Sequence, residues 1–214
     1  MEKINENIIN LYNKWKEGYT RKENSFKLKV KDFLSNRKDA GNFEISEDGK
    51  HLNVFGDIYI NDKDIHDGKL PIQFGKVDVF FNCSYCTSLT SLEGAPKKVG
   101  DGFNCSDCSL LTSLKGAPES VDGFFDCSCC DNLTSLEGAP ENVGGTFYCN
   151  NCKNLTSLKG APRVVGVNFH CDDCKNLTSI EDLPKLIGND LIIDGRFKGK
   201  IPDDVTILGE IKYE

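Results

Sequence analysis

Eleven cysteines are the first candidates for chemistry in this chain. Ten of them fall in five C-x-x-C pairs, Cys83/Cys86, Cys105/Cys108, Cys127/Cys130, Cys149/Cys152 and Cys171/Cys174, each 22 residues after the last. Paired knuckles of this kind are the usual source of a tetrahedral Cys₄ zinc site, and a C-x-x-C at a helix N-terminus can exchange disulfides. The periodicity favours neither. The first Cys of each pair alternates with a Phe, so along a strand both share one face, and stacked strands about 4.8 Å apart turn the thiols into a ladder, not clusters. An odd number of pairs also cannot be shared two to an ion. The expectation is reduced thiols acting as small buried hydrophobes, with no cofactor; a zinc-containing metalloprotein using the C-x-x-C pairs as structural ligands is the alternative. Cys129 lies between the two repeat positions and should face solvent.

His170, Asp172 and Asp194 could converge as a hard-metal or acid/base site. A flat, solvated sheet lacks the pocket that perturbs a pKa and excludes water, and no nucleophile elbow, phosphate loop or H-E-x-x-H motif is present. The chain therefore reads as a non-enzyme. A second set of residues suggests binding. Phe80, Phe124, Asp126, Tyr148, His170, Asp172, Asp190 and Asp194 flank the inward Phe and Cys positions and should point out from the strand face, expected to be concave. Aromatics supply anchors and carboxylates steer a basic surface, so a protein partner is expected. Elsewhere Glu93, Lys115, Glu137, Lys159 and Glu181 alternate in sign from unit to unit and should neutralise one another.

The element that must position these residues is the repeat itself, F-x-C-x-x-C-x-x-L-T-S-L-x-G-A-P-x-x-V-G-x-x. Each unit predicts one turn of a right-handed coil with one short strand, F-x-C, placing Phe81, Phe103, Phe125, Phe147 and Phe169 in a single buried stack. The L-T-S-L stretch and the Val before each Gly fill the rest of the cross-section. Gly-Ala-Pro turns the chain, because Pro cannot continue a ladder and Gly permits the reversal. One turn cannot bury its own apolar face, so stacking makes the fold.

The frame resembles the leucine-rich repeat L-x-x-L-x-L-x-x-N/C-x-x-L, with Phe and Cys in the L-x-L places and the second Cys where that family carries Asn or Cys. The L-T-S-L…P-x-x-V segment is similar to the short repeats of bacterial effector proteins and of uncharacterised repeat proteins of bacteria and bacteriophages. The resemblance covers roughly residues 54–213. It implies an α+β, leucine-rich-repeat-like parallel β-solenoid and, for function, only a binding surface, because the family's ligands are diverse. A cytoplasmic protein of a bacterium or of an infected bacterial cell fits it, acting as an inhibitor or scaffold.

Four segments follow. Residues 1–40 should form a helical hairpin closing the open end, with Ile4, Ile8, Leu11 and Trp15 on one stripe and Phe26, Val30, Phe33 and Leu34 on the other. Residues 41–78 hold a degenerate first repeat, in which Ile58–Ile60 reads as a strand and Leu70 to Gly75 echoes P-x-x-V-G. Residues 79–190 are the five clean units, and 191–214 a capping repeat. Residues 1–40 carry ten Lys and Arg against six Asp and Glu, a net +4 that leaves −11 for the rest of a −7 chain. An acidic body discourages nucleic acid as the ligand, although contact through the basic N-terminal helices is a further alternative. No stretch approaches the roughly 18 apolar residues of a membrane span.

Overall fold

The computed structural model describes residues 21–35 and 42–214. The repeat folds as a parallel β-solenoid with a spacing near 22 residues, but each turn contributes two short strands where one was expected. The second is the x-V pair before Gly: its Val turns inward and its backbone joins the turns on either side. The first sheet has nine strands in the spatial order β1 (Asn42–Ile45), β2 (Leu52–Phe55), β4 (Phe74–Val77), β6 (Lys98–Val99), β8 (Ser120–Val121), β10 (Asn142–Val143), β12 (Val164–Val165), β14 (Leu186–Ile187) and β16 (Thr206–Ile207). The second sheet has eight: β3 (Ile58–Tyr59), β5 (Phe81–Asn82), β7 (Phe103–Asn104), β9 (Phe125–Asp126), β11 (Phe147–Tyr148), β13 (Phe169–His170), β15 (Leu191–Ile193) and β17 (Ile211–Tyr213).

Every pairing is parallel except that of β1 with β2. Like residues oppose like, Phe103 facing Phe125 and Val121 facing Val143, so the register is the repeat itself. That alignment stacks the five Phe rings face to face at centroid spacings of 5.2–5.4 Å with interplanar angles of 4–15°. All five rings are fully buried, as are the Leu pairs of the first four L-T-S-L stretches. The G-A-P corner needs a left-handed residue: Gly138 has φ +97°, and a Cβ there would lie 2.4 Å from the backbone N of Lys115 in the preceding turn.

At the N-terminal end one helix, α1 (Arg21–Ser35), buries Val30 and Leu34 and sets Phe33 edge-on against Phe74, which meets Phe81 edge-on at 5.2 Å. The predicted second stripe is thus found. Its partner stripe through Trp15 lies outside the described residues. The degenerate first repeat is phased differently from the sequence reading: Val77, not Phe74, pairs with Val99, while Phe74 pairs with Leu52 across an irregular register. Val77 lies 22 residues before Val99, so the repeat's own phase is kept in β4, three residues C-terminal to the Phe74 position that Leu70 to Gly75 suggested.

At the other end the chain leaves the repeat through a 3-10 turn, Gly195–Phe197. Arg196 donates to the carbonyls of Cys174 (2.5 Å) and Leu177 (3.3 Å), its carbon Cζ lies 4.9 Å from the centre of the Phe197 ring, and its guanidinium lies 3.2 Å from Asp194. Cys174 O also accepts from Leu177 N–H at 2.9 Å, so the guanidinium adds a second donor to the last C-x-x-C turn and ties the closing segment to it.

Candidate functional site

The ten repeat-position thiols are buried, and Cys129 is half-buried. Where each thiol proton goes follows from the stacking. Cys108, Cys130, Cys152 and Cys174 donate to the carbonyl of the first Cys of the preceding turn at 3.1–3.3 Å, as in Cys108 Sγ to Cys83 O. In the first-Cys column, Cys127 and Cys149 donate forward to the carbonyls of Tyr148 and His170. A thiol that donates is protonated, whereas zinc takes thiolate. Burial pushes Cys127, Cys149 and Cys171 well above the ordinary thiol range. For Cys83 and Cys105 the larger cause is the hydrogen bond with the thiol of the next turn, with burial second. Among the described residues no group of three or more His, Cys, Asp or Glu is placed to hold a metal ion.

The outward positions of the second sheet form columns running along the solenoid. Phe80 and Phe124 stand before the inward Phe of β5 and β9; Asp126, Tyr148 and His170 stand after it on β9, β11 and β13, Asp172 lies two residues after His170, and Asp194 two residues after Ile192 of β15. Of the eight predicted residues Asp126, Tyr148 and His170 lie in strands of this sheet and the other five within two residues of one; none is fully exposed, and they separate into two groups.

Toward the N-terminal end, Tyr59, Phe80 and Phe124 form a run of touching rings. Tyr59 meets Phe80 edge-on at 5.8 Å, and Phe80 meets Phe124 at 5.6 Å with a 44° tilt. Asn82, Asn104 and Asp126 follow in the next column, each side chain accepting the backbone N–H two residues on; Asp126 also takes the Ser128 hydroxyl at 2.6 Å. Asp107 sits in the left-handed region at φ 57°, a conformation Asp tolerates better than most residues. Its carboxyl is pushed up by burial first and then by Asp126 and Asp131, the latter itself paired with Lys153 at 2.8 Å.

Toward the C-terminal end, Tyr148 stacks on His170 at 4.7 Å. Here the carboxylates are occupied or sunken. Asp190 accepts from Glu210 N (2.9 Å) and Lys212 Nζ (2.6 Å), and these bonds lower its pKa. Asp172 is buried, and its Oδ1 has no hydrogen-bond partner among the described residues; His170 Nδ1 is 3.7 Å away. Burial pushes Asp194 up, opposed by Arg196 and reinforced by Asp173 and Asp172. A cation, Lys212, stands in one of these columns, beside Ile192, because β17 extends the sheet by a further turn. Tyr59 was missed, although pairing of β3 with β5 puts it in the column of Asn82.

On the connections the alternating column pairs only in part: Lys159 meets Glu137 at 2.7 Å, Glu93 meets Lys69 at 2.7 Å, and among the described residues Lys115 and Glu181 form no ion pair, while a second column pairs Lys97 with Glu119 at 3.1 Å. Among the described residues no helix is long and apolar enough to cross a membrane.

Fold and site together define a parallel β-solenoid with one acidic-aromatic sheet face. No protein-family model, curated protein sequence or solved structure matches the chain, so its likeness to leucine-rich repeats rests on the motif alone.

Proposed function

We propose that this chain is a non-enzymatic binding module that holds a protein with a basic surface against the outer face of its second sheet, as an inhibitor or scaffold of that partner. The observation that carries this reading is the contrast between faces. The connections pair part of their charge from turn to turn, while the sheet gathers half-exposed aromatics and carboxylates, Asp107 and Asp126 among them having no cationic partner among the described residues. Unpaired surface charge steers an encounter, and aromatic rings anchor it.

The test is selective capture from a cell lysate. A partner retained by the native chain and by Glu137→Lys with Lys159→Glu, but lost by Asp126→Lys with Tyr148→Ala, supports the reading. Retention by the second pair, or loss by both, overturns it.

A further inference from the structure

Phe80 and Phe124 occupy one column two turns apart, a separation of roughly 9.6 Å at ordinary strand spacing. Their ring centres are nevertheless 5.6 Å from one another. Between them stands Gly102, the one glycine at this column position in the five units, and it is buried. A Cβ on Gly102 would fall 2.4 Å from Cε1 of Phe124 and 2.7 Å from its Cζ. The missing side chain is a slot into which the Phe124 ring lies down to reach Phe80. Two aromatic rings thus become one platform, with Tyr59 edge-on against Phe80 at 5.8 Å, beside the outward Asn82, Asn104 and Asp126.

Asp126 follows Phe124 by two residues and so shares its face. Its Oδ1 is fixed by Ser128 N–H at 2.9 Å and the Ser128 hydroxyl at 2.6 Å. Asp107 is held to the same turn by its N–H donating to Ser128 O at 3.0 Å. An apolar group docking on the platform would desolvate carboxylates with nothing to offset the cost, whereas a cation gains from both the carboxylates and the negative ring faces. A guanidinium fits best, because its plane lies on a ring while its fork meets a carboxylate. The molecule already builds this arrangement once within itself, where Arg196 lies over Phe197 and beside Asp194.

We propose that Phe80 and Phe124, bridged across Gly102 and flanked by Asp126 and Asp107, form a seat for an arginine side chain of the partner. This rests on the binding reading above and narrows it: the anchor lies at the N-terminal half of the face, since the carboxylates of the other half are taken up by Lys212 and Arg196 or buried.

The experiment titrates the full chain with a glycine-rich peptide bearing two arginines and with the matched citrulline peptide, following the Phe ring resonances by NMR. The arginine peptide is expected to shift the Phe80 and Phe124 signals and to bind about tenfold more tightly than its neutral counterpart. Phe124→Leu keeps the slot filled without a ring, and Gly102→Ala keeps the ring but closes the slot. Each should weaken binding about fivefold or more, while Glu137→Lys leaves it unchanged. Equal binding of the citrulline peptide, ring shifts produced by a neutral oligosaccharide instead, or shifts confined to Tyr148 and His170 would each overturn the seat. A natural partner lost on Asp126→Lys with Tyr148→Ala yet indifferent to Phe124→Leu also overturns the seat while leaving the wider reading intact.

Discussion

A thiol in this protein serves two purposes, as a small hydrophobe and as a donor to the neighbouring turn. The first was legible in the alternation of Cys with Phe. The second was not, because the carbonyl that accepts from Cys130 belongs to Cys105, one turn earlier, and only the stacked register brings the two together. The arrangement has a pH signature. An ordinary thiol titrates near 9.0, whereas burial pushes Cys86 and Cys174 up to about 12. A raised folded-state pKa means that the folded chain keeps protons the unfolded chain releases. The contribution is therefore fully present below pH 9 and is lost as pH climbs from 9 toward 12, at about 1.4 kcal/mol per pH unit for each such thiol. Urea unfolding should accordingly show a midpoint that is flat to about pH 8.5 and falls steeply beyond. A midpoint unchanged up to pH 10.5 would mean that the thiols are not sequestered as described.

Among elements, the strand carrying Phe was readable because its inward residues differ from its outward ones in a fixed alternation. The second strand of each turn was not. With two residues, one of them Val, it offers no alternation, and its existence follows only from backbone groups that must pair once the turns are stacked. The stripe of α1 was readable, but its docking of Phe33 on Phe74 depends on the phase of the degenerate repeat, which the sequence reading misplaced. Within this layout the Phe ladder carries stability and the charged connections do not. Phe125→Ala should cost roughly 3–5 kcal/mol, since its ring is fully buried between Phe103 and Phe147 and the cavity cannot collapse against stacked turns. Lys115→Ala, at an exposed position, should stay within about 0.5 kcal/mol. Thermal unfolding of the two variants distinguishes them, and similar melting temperatures would contradict the ladder.

At the scale of the whole molecule, the candidate face was legible as columns, since the 22-residue period alone assigns Asp126, Tyr148 and His170 to one line. What the period could not give is which members are spent internally. Asp190 looked like a steering charge until β17 brought Lys212 beside it, and Phe124 looked like one exposed ring among several until the slot at Gly102 joined it to Phe80. Because the backbone of each turn pairs with its neighbours alone, and Phe80 with Phe124 is the side-chain contact described that spans two turns, stability should be close to a sum of turns and interfaces. Deleting residues 125–146, one full period, joins Phe124 to Phe147 in phase. The shortened chain should still fold cooperatively, with a β-type circular dichroism spectrum and a reduced melting temperature; an unfolded product would mean that the turns are not interchangeable. The arginine of the closing segment then acquires a meaning in heredity. Arg196 ties that segment to carbonyls of Cys174 and Leu177 whose counterparts recur in every unit, so recombination between near-identical units can lengthen or shorten the gene one period at a time while the same closing turn still fits. The reach of the binding face becomes a number that a lineage can count up or down.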